Sequence, residues 1–353
     1  MTALLGPLQS GLAQGVLWGL MVLGVYITYK LLDIPDLTAD GSFTLGACVA
    51  TVSILAGVNP VLATIFGMCA GFLAGAVTGI LHTVFEIPAI LAGILTQIGL
   101  WSVNLRVMSG KANNPLLKAD TTISFFADKL GLSQSQASLF AGVLLVAAVI
   151  FILYWFFGTE IGSALRATGD NADMIRALGV NTGRMKLLAL ALSNALIGLS
   201  GAMVAQMQKY ADINMGRGAI VTGLAAIVIG EVLLGRVRNF GLKLFSAVVG
   251  AIVYFIIQAL VLRLGMDAND MKLLSSLMVA AALAVPVAVR RYGIRKSYTK
   301  GDLYAAEHAE RYAAEHAGKN AEQENAEHGN MKQEKTASGR AEQKNGQKGG
   351  GQA

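Results

Sequence analysis

Nine stretches of this chain approach or reach the roughly 20 apolar residues that a helix needs to cross the hydrocarbon core of a bilayer. They are residues 11–30, 41–58, 60–81, 87–107, 137–157, 185–208, 219–234, 240–264 and 273–289. Backbone polar groups must be satisfied internally in lipid, so runs of this length read as helices. The expectation is an all-α, polytopic membrane protein with about nine transmembrane helices. Stretches 41–58, 219–234 and 273–289 are short or interrupted by Gly or Pro. If 41–58 dips in and returns, the count becomes eight plus a re-entrant segment.

Charge divides the chain. Charged residues make up 14% of it and the mean hydropathy is +0.56, against about 25% charged in soluble domains. Of 28 Lys and Arg and 22 Asp and Glu, ten and nine lie in residues 292–353. The expected domains are therefore a transmembrane domain, 1–291, and a polar cytoplasmic tail, 292–353. The tail near-repeats YAAEHAERYAAEHA and then turns to Gln, Asn, Glu, Lys and Gly, a disordered composition. The basic excess of the membrane domain sits in short loops rather than on one face, which excludes nucleic acid as a partner. No basic residue precedes Lys30, so the chain lacks the charged start of a signal peptide and the first span is expected to stay. Cys48 and Cys69 lie in apolar runs and read as small hydrophobes. Three of the four histidines are in the tail, so no metal or haem set is expected.

The positive-inside rule orients the spans. With 158–186 cytoplasmic, that side carries 13 Lys and Arg and the other carries 8, and the cluster at 290–300 places the C-terminus inside. Nine crossings then put the N-terminus outside. Basic residues at the span ends, such as Arg166, Arg184 and Lys186, suit anionic lipid headgroups.

Three segments carry chemistry-bearing residues. Asp33, Asp36 and Asp40 crowd the connection between the first two stretches, with Pro35 and Gly41. This cannot be regular helix within hydrocarbon. Asp40 is placed to N-cap the helix near Gly41, and Asp36 with Thr38 to satisfy the preceding turn. A broken-helix terminus of this kind can flank a translocation path, so Asp36, Asp40 and Ser42 are candidate path residues. Thr96, Gln97, Asn104 and Asn194 are candidates as polar residues within spans. They suit helix-to-helix hydrogen bonds equally well.

The second segment is 160–186. Asp170 can N-cap a two-turn amphipathic helix over 171–178, with Asp173 in its first turn. Asn171, Ala172, Asp173, Met174, Ile175, Arg176, Ala177 and Leu178 would form it, with Gly179 as the C′ residue. Such a helix in a cytoplasmic loop suits a groove on a partner. The third segment, 216–231, is too glycine-dotted for an ordinary long helix, and Glu231 can pair with Arg236 at its end. Gly67, Gly71, Gly75 and Gly79 recur every four residues and give the third stretch a small-residue face. No nucleophile elbow, zinc-peptidase motif or phosphate-binding loop occurs in the sequence. The chain reads as a transporter subunit and not an enzyme.

Residues 34–47 (IPDLTADGSFTLGA), 161–186 (IGSALRATGDNADMIRALGVNTGRMK) and 223–231 (GLAAIVIGE) resemble the permeases of bacterial ABC importers. The likeness is to the branched-chain amino-acid and ribose branch, and within it to the group associated with tryptophan or tyrosine uptake. The resemblance covers about 12–291. It implies a permease in the cell or inner membrane, with a second permease copy, two cytoplasmic ATP-binding subunits and an extracytoplasmic substrate-binding lipoprotein or periplasmic protein. It implies no cofactor on this chain, ATP being bound by the partner subunit. The 171–178 helix would be the coupling helix that docks on the ATPase. Loop 108–136 and turn 209–217 would receive the binding protein. The solute would be small, an amino acid and possibly an aromatic one.

Overall fold

The computed structural model describes residues 2–264 except 118 and 236–238, and also 270, 273–282 and 284. The tail 292–353, the end of the ninth expected span, and Arg236 lie outside the described residues. Among the described residues, seven helices are long and apolar enough to cross a membrane, and two apolar helices are shorter. Eleven helices are bounded as follows. They are α1 (Thr2–Tyr26), α2 (Thr38–Leu55), α3 (Pro60–Thr83), α4 (Ala89–Val107), α5 (Thr122–Leu130), α6 (Gln134–Phe156), α7 (Glu160–Asp170), α8 (Ala172–Ala177), α9 (Thr182–Gln208), α10 (Ala219–Leu234) and α11 (Phe240–Arg263). A twelfth, α12, spans Leu273–Ala282. The expected stretches 219–234 and 273–289 correspond to the two short helices α10 and α12.

Local chemistry sets the helix starts. Asn59 accepts from the Val61 N–H with Pro60 at the first helical position of α3. Thr121 with Ser124, and Ser133 with Gln136, form reciprocal capping boxes for α5 and α6. Asn181 caps α9 and Asn239 caps α11. Each such cap is worth about 1 kcal/mol.

The centre of the bundle is α9, buried almost continuously from Ala189 to Gln206. Helices pack here on small residues, as they must where lipid is as apolar as leucine. The glycine face of α3 lies on α9 in antiparallel order. Gly71 meets the Asn194 carbonyl, Gly75 that of Leu190, and Gly79 the Leu187 backbone. Gly11, Gly15 and Gly19 of α1 face Ala259, Ile252 and Val248 of α11, also antiparallel.

Between α1 and α2 the chain is not a simple loop. A π-helical turn, Ile27–Leu31, extends α1, and the Ile34 N–H bonds back to the Thr28 carbonyl. The chain then runs through Asp36 into α2 beside Asn194 of α9. From there α2 continues past Met108 to the level of Ala63 and Leu116. It is one unbroken helix from Thr38 to Leu55.

Two features were not expected. Helix α7 fills the first half of the long 158–184 connection. At the opposite end of the bundle, strands β1 (Asn113–Pro115) and β2 (Tyr210–Asp212) pair antiparallel. This pairing joins loop 108–136 to turn 209–217, which the chain separates by more than 70 residues.

Candidate functional site

The candidate path residues divide into two neighbouring groups. The first surrounds the linker before α2. Asp36 is buried. One of its carboxylate oxygens accepts from Asn194 Nδ2 at 2.6 Å and the other from the Thr38 N–H at 3.0 Å. The expected turn between Asp36 and Thr38 is therefore present. Thr38 Oγ1 lies 2.7 Å from Thr78 Oγ1, and Thr78 donates to Thr96 Oγ1 at 2.9 Å. Irregular backbone and a carboxylate at this depth are tolerable only when buried in protein with partners. Asn194 Oδ1 and Ser42 Oγ are buried without a hydrogen-bond partner among the described residues.

The second group surrounds Asp40. Its expected role as N-cap of its own helix is corrected. Helix α2 starts earlier, at Thr38, and its N-cap Leu37 offers no side-chain bond. Asp40 instead reaches across to α10, where its carboxylate accepts from the Gly218 N–H and the Ile220 N–H, both at 2.9 Å. Thr44 Oγ1 accepts from the Gly216 N–H at 3.1 Å. A carboxylate at the positive end of a helix is favourable. Helix α10 has no cap of its own there because Gly218, at φ +83°, has no side chain to supply one.

A cavity of about 360 Å³ opens beside this contact, within the size range of small-molecule sites. Its walls are Asp40, Gly41 and Thr44 of α2; Gln97, Ile98, Trp101, Ser102 and Asn104 of α4; and Ile213 and Arg217 of the turn before α10. Asp40, Gln97 and Asn104 are thus brought to one cavity, while Asp36, Thr96 and Asn194 belong to the network beneath. Ser42 is buried and is not on the cavity wall. Trp101 and Arg217 were missed as site residues. The run Gly216-Arg217-Gly218 was visible, but its approach to α4 is not a local property.

At the other end, α7 and α8 make an angular unit. Asp170 is not the cap of the short helix. Asp170 ends α7, and Asn171 caps α8 by accepting from the Met174 N–H at 3.0 Å. The helix is therefore Ala172–Ala177, one residue shorter at each end than expected. Leu178 is its C-cap and Gly179 follows at φ +87°. Ile175 is buried, and Arg176 donates to Thr182 Oγ1 at 3.3 Å. Met174 and Leu178 are apolar yet 53% and 72% exposed. Asp173 sits 3.5 Å from Arg176 in the open. Behind this helix, Gly169 of α7 abuts the Leu31 backbone and the Arg166 guanidinium lies 5.2 Å from the Phe240 ring centroid. Helix α7 thus touches the end of α1 and the start of α11. Glu231 pairs with Lys30 at 2.8 Å, a partner distant in sequence.

The permease component model of the branched-chain amino acid transport system matches residues 8–283. The tyrosine transport system permease protein of Clostridioides difficile (strain R20291) is 40% identical over 283 residues, covering 78% of this chain and 90% of the relative. An uncharacterised protein of Rickettsia prowazekii (strain Madrid E) is 33% identical over 280 residues, covering 78% and 96%. The autoinducer 2 import system permease protein LsrC of Yersinia pseudotuberculosis (strain YPIII) is 29% identical over 262 residues, covering 71% and 70%. Such permeases are the multi-pass, non-enzymatic membrane subunits of ABC-type transporters, in which a separate subunit binds ATP. By the extent of these matches, the chain belongs to the family of branched-chain amino acid transport system permease components.

Proposed function

We propose that this permease imports a small amino acid, with an aromatic one favoured by the tyrosine permease among its relatives. A binding protein delivers the solute to the β1–β2 end, which faces outward. Cytoplasmic ATPase subunits grip α8 at the other end. Two permease copies assemble in the cell or inner membrane, with α2 counted among nine crossings and the C-terminus in the cytoplasm.

The observation that carries this reading is α8. It is a capped helix of six residues with Met174 and Leu178 exposed beside an anchored Ile175. A helix this short has no reason to form alone in water. Its exposed apolar side suits a groove. Through α7 it touches Leu31 and Phe240, so force applied to α8 reaches both helices of the α1–α11 pair at their shared end.

The test replaces Asp173, Met174 and Arg176 singly in the complex reconstituted with its ATPase and binding protein. Substrate-stimulated ATP hydrolysis is expected to fall several-fold in at least one variant, with assembly retained. Unchanged coupling in all three overturns the role of α8. Uptake by the permease alone in liposomes, without ATP, would instead establish a channel or secondary carrier.

A further inference from the structure

We infer that the cavity between α2, α4 and the turn before α10 is a solute-selecting site within the permease, built to read a zwitterionic amino acid. The inference rests on the importer reading above and adds which residues of this chain discriminate. Asn104 is 1% exposed, and its Oδ1, on a residue of the cavity wall, has no hydrogen-bond partner among the described residues. An unsatisfied buried acceptor is costly, and a donor on a bound molecule removes that cost. Arg217 lines the same cavity and makes no ion pair with any described residue. Asp40 is in the same wall, where its oxygens accept from the N-terminus of α10, and it forms no ion pair with Arg217.

The wall therefore presents a free guanidinium, matched to a carboxylate in fork geometry. It also presents the Asp40 carboxylate, whose remaining lone pairs match an ammonium, with the unpaired Asn104 Oδ1 buried behind it. Trp101 and Ile98 supply an apolar flank on which an aromatic or aliphatic side chain can rest. Gln97 and Ser102 complete the polar lining. A neutral sugar has no group that requires Arg217. An amine without a carboxylate would leave the guanidinium unmatched.

The experiment uses the permease–ATPase complex in nanodiscs without binding protein, with tritiated L-tyrosine as the probe and tyramine as the decarboxylated competitor. Saturable binding is expected, with tyramine at least about tenfold weaker than unlabelled L-tyrosine. Arg217→Gln should abolish that discrimination by losing tyrosine rather than by gaining tyramine, and Arg217→Lys should restore part of it. Size-exclusion profiles check that the variants assemble. Absence of saturable binding, equal competition by tyramine, or unchanged discrimination in Arg217→Gln overturns the site. ATP-driven uptake by the complete complex is measured in parallel. If uptake occurs while Arg217 is indifferent, only the site falls. If the complete complex shows no ATP-driven uptake, the importer reading falls instead.

Discussion

Asp40 stands in the first turn of one helix and caps another whose N-cap residue, Gly218, lies 178 residues later. That single carboxylate holds two helices, and with them the two sides of the cavity, in fixed relation. Replacing Asp40 with Ala removes the cap from α10, whose Gly218 cannot compensate. The expected loss is about 1 kcal/mol of stability, read as a lower thermal midpoint of the purified protein. Asp40→Asn, which retains an acceptor, should lose less. The sequence placed Asp40 at a helix start correctly. It assigned the carboxylate to the wrong helix, because capping patterns report sequence neighbours and the N-terminus of α10 arrives only by packing. The same limit hid Arg217, which lies beside Gln97 and Asn104 only in the folded chain.

At the scale of elements, the contact between α3 and α9 is set by side chains that are missing. A Cβ added at Gly75 would meet the Leu190 carbonyl and Asn194, whereas one added at Gly99 of α4 meets nothing within 4 Å. Gly75→Val should therefore push the helices apart and cost about 1–3 kcal/mol, seen as loss of monodisperse protein on extraction. Gly99→Ala should be neutral or stabilising by up to about 1 kcal/mol. The four-residue spacing of Gly67, Gly71, Gly75 and Gly79 did announce a packing face, because the helical period places them on one side. It did not name α9 as the partner. The Lys30–Glu231 bridge is a different kind of contact. Both side chains are 44% exposed, so Glu231→Gln should change stability by less than about 1 kcal/mol. Helix α7 was not expected, and its Gly162 and Gly169 are intrinsically unfavourable in a helix. Packing overrides that preference, since Gly169 is where α7 meets Leu31.

For the whole molecule, burial is uneven in a way that points outward. The candidate spans in α1 and α9 are 89% and 83% buried, while those in α4 and α6 are 28% buried. Ile90, Leu91, Leu95, Phe151, Ile152 and Trp155 are exposed, and such faces need lipid or a second copy. Native mass spectrometry of the gently extracted complex should show two permease copies with two ATPase subunits. A complex with one permease copy would refute the dimer. By itself, the sequence determined that this is a multi-span helical membrane protein, where most spans lie, and that a capped amphipathic helix interrupts 158–184. Those properties follow from composition, helical period and capping, all local. Only the tertiary structure decided that α2 starts beside Asn194 of α9 and runs unbroken to the level of Ala63, that Asp40 holds α10, that loop 108–136 pairs with turn 209–217, and that Arg217, Trp101 and Asn104 share one cavity. These contacts join residues distant in the chain, and their geometry depends on how closely the glycine-lined helices approach.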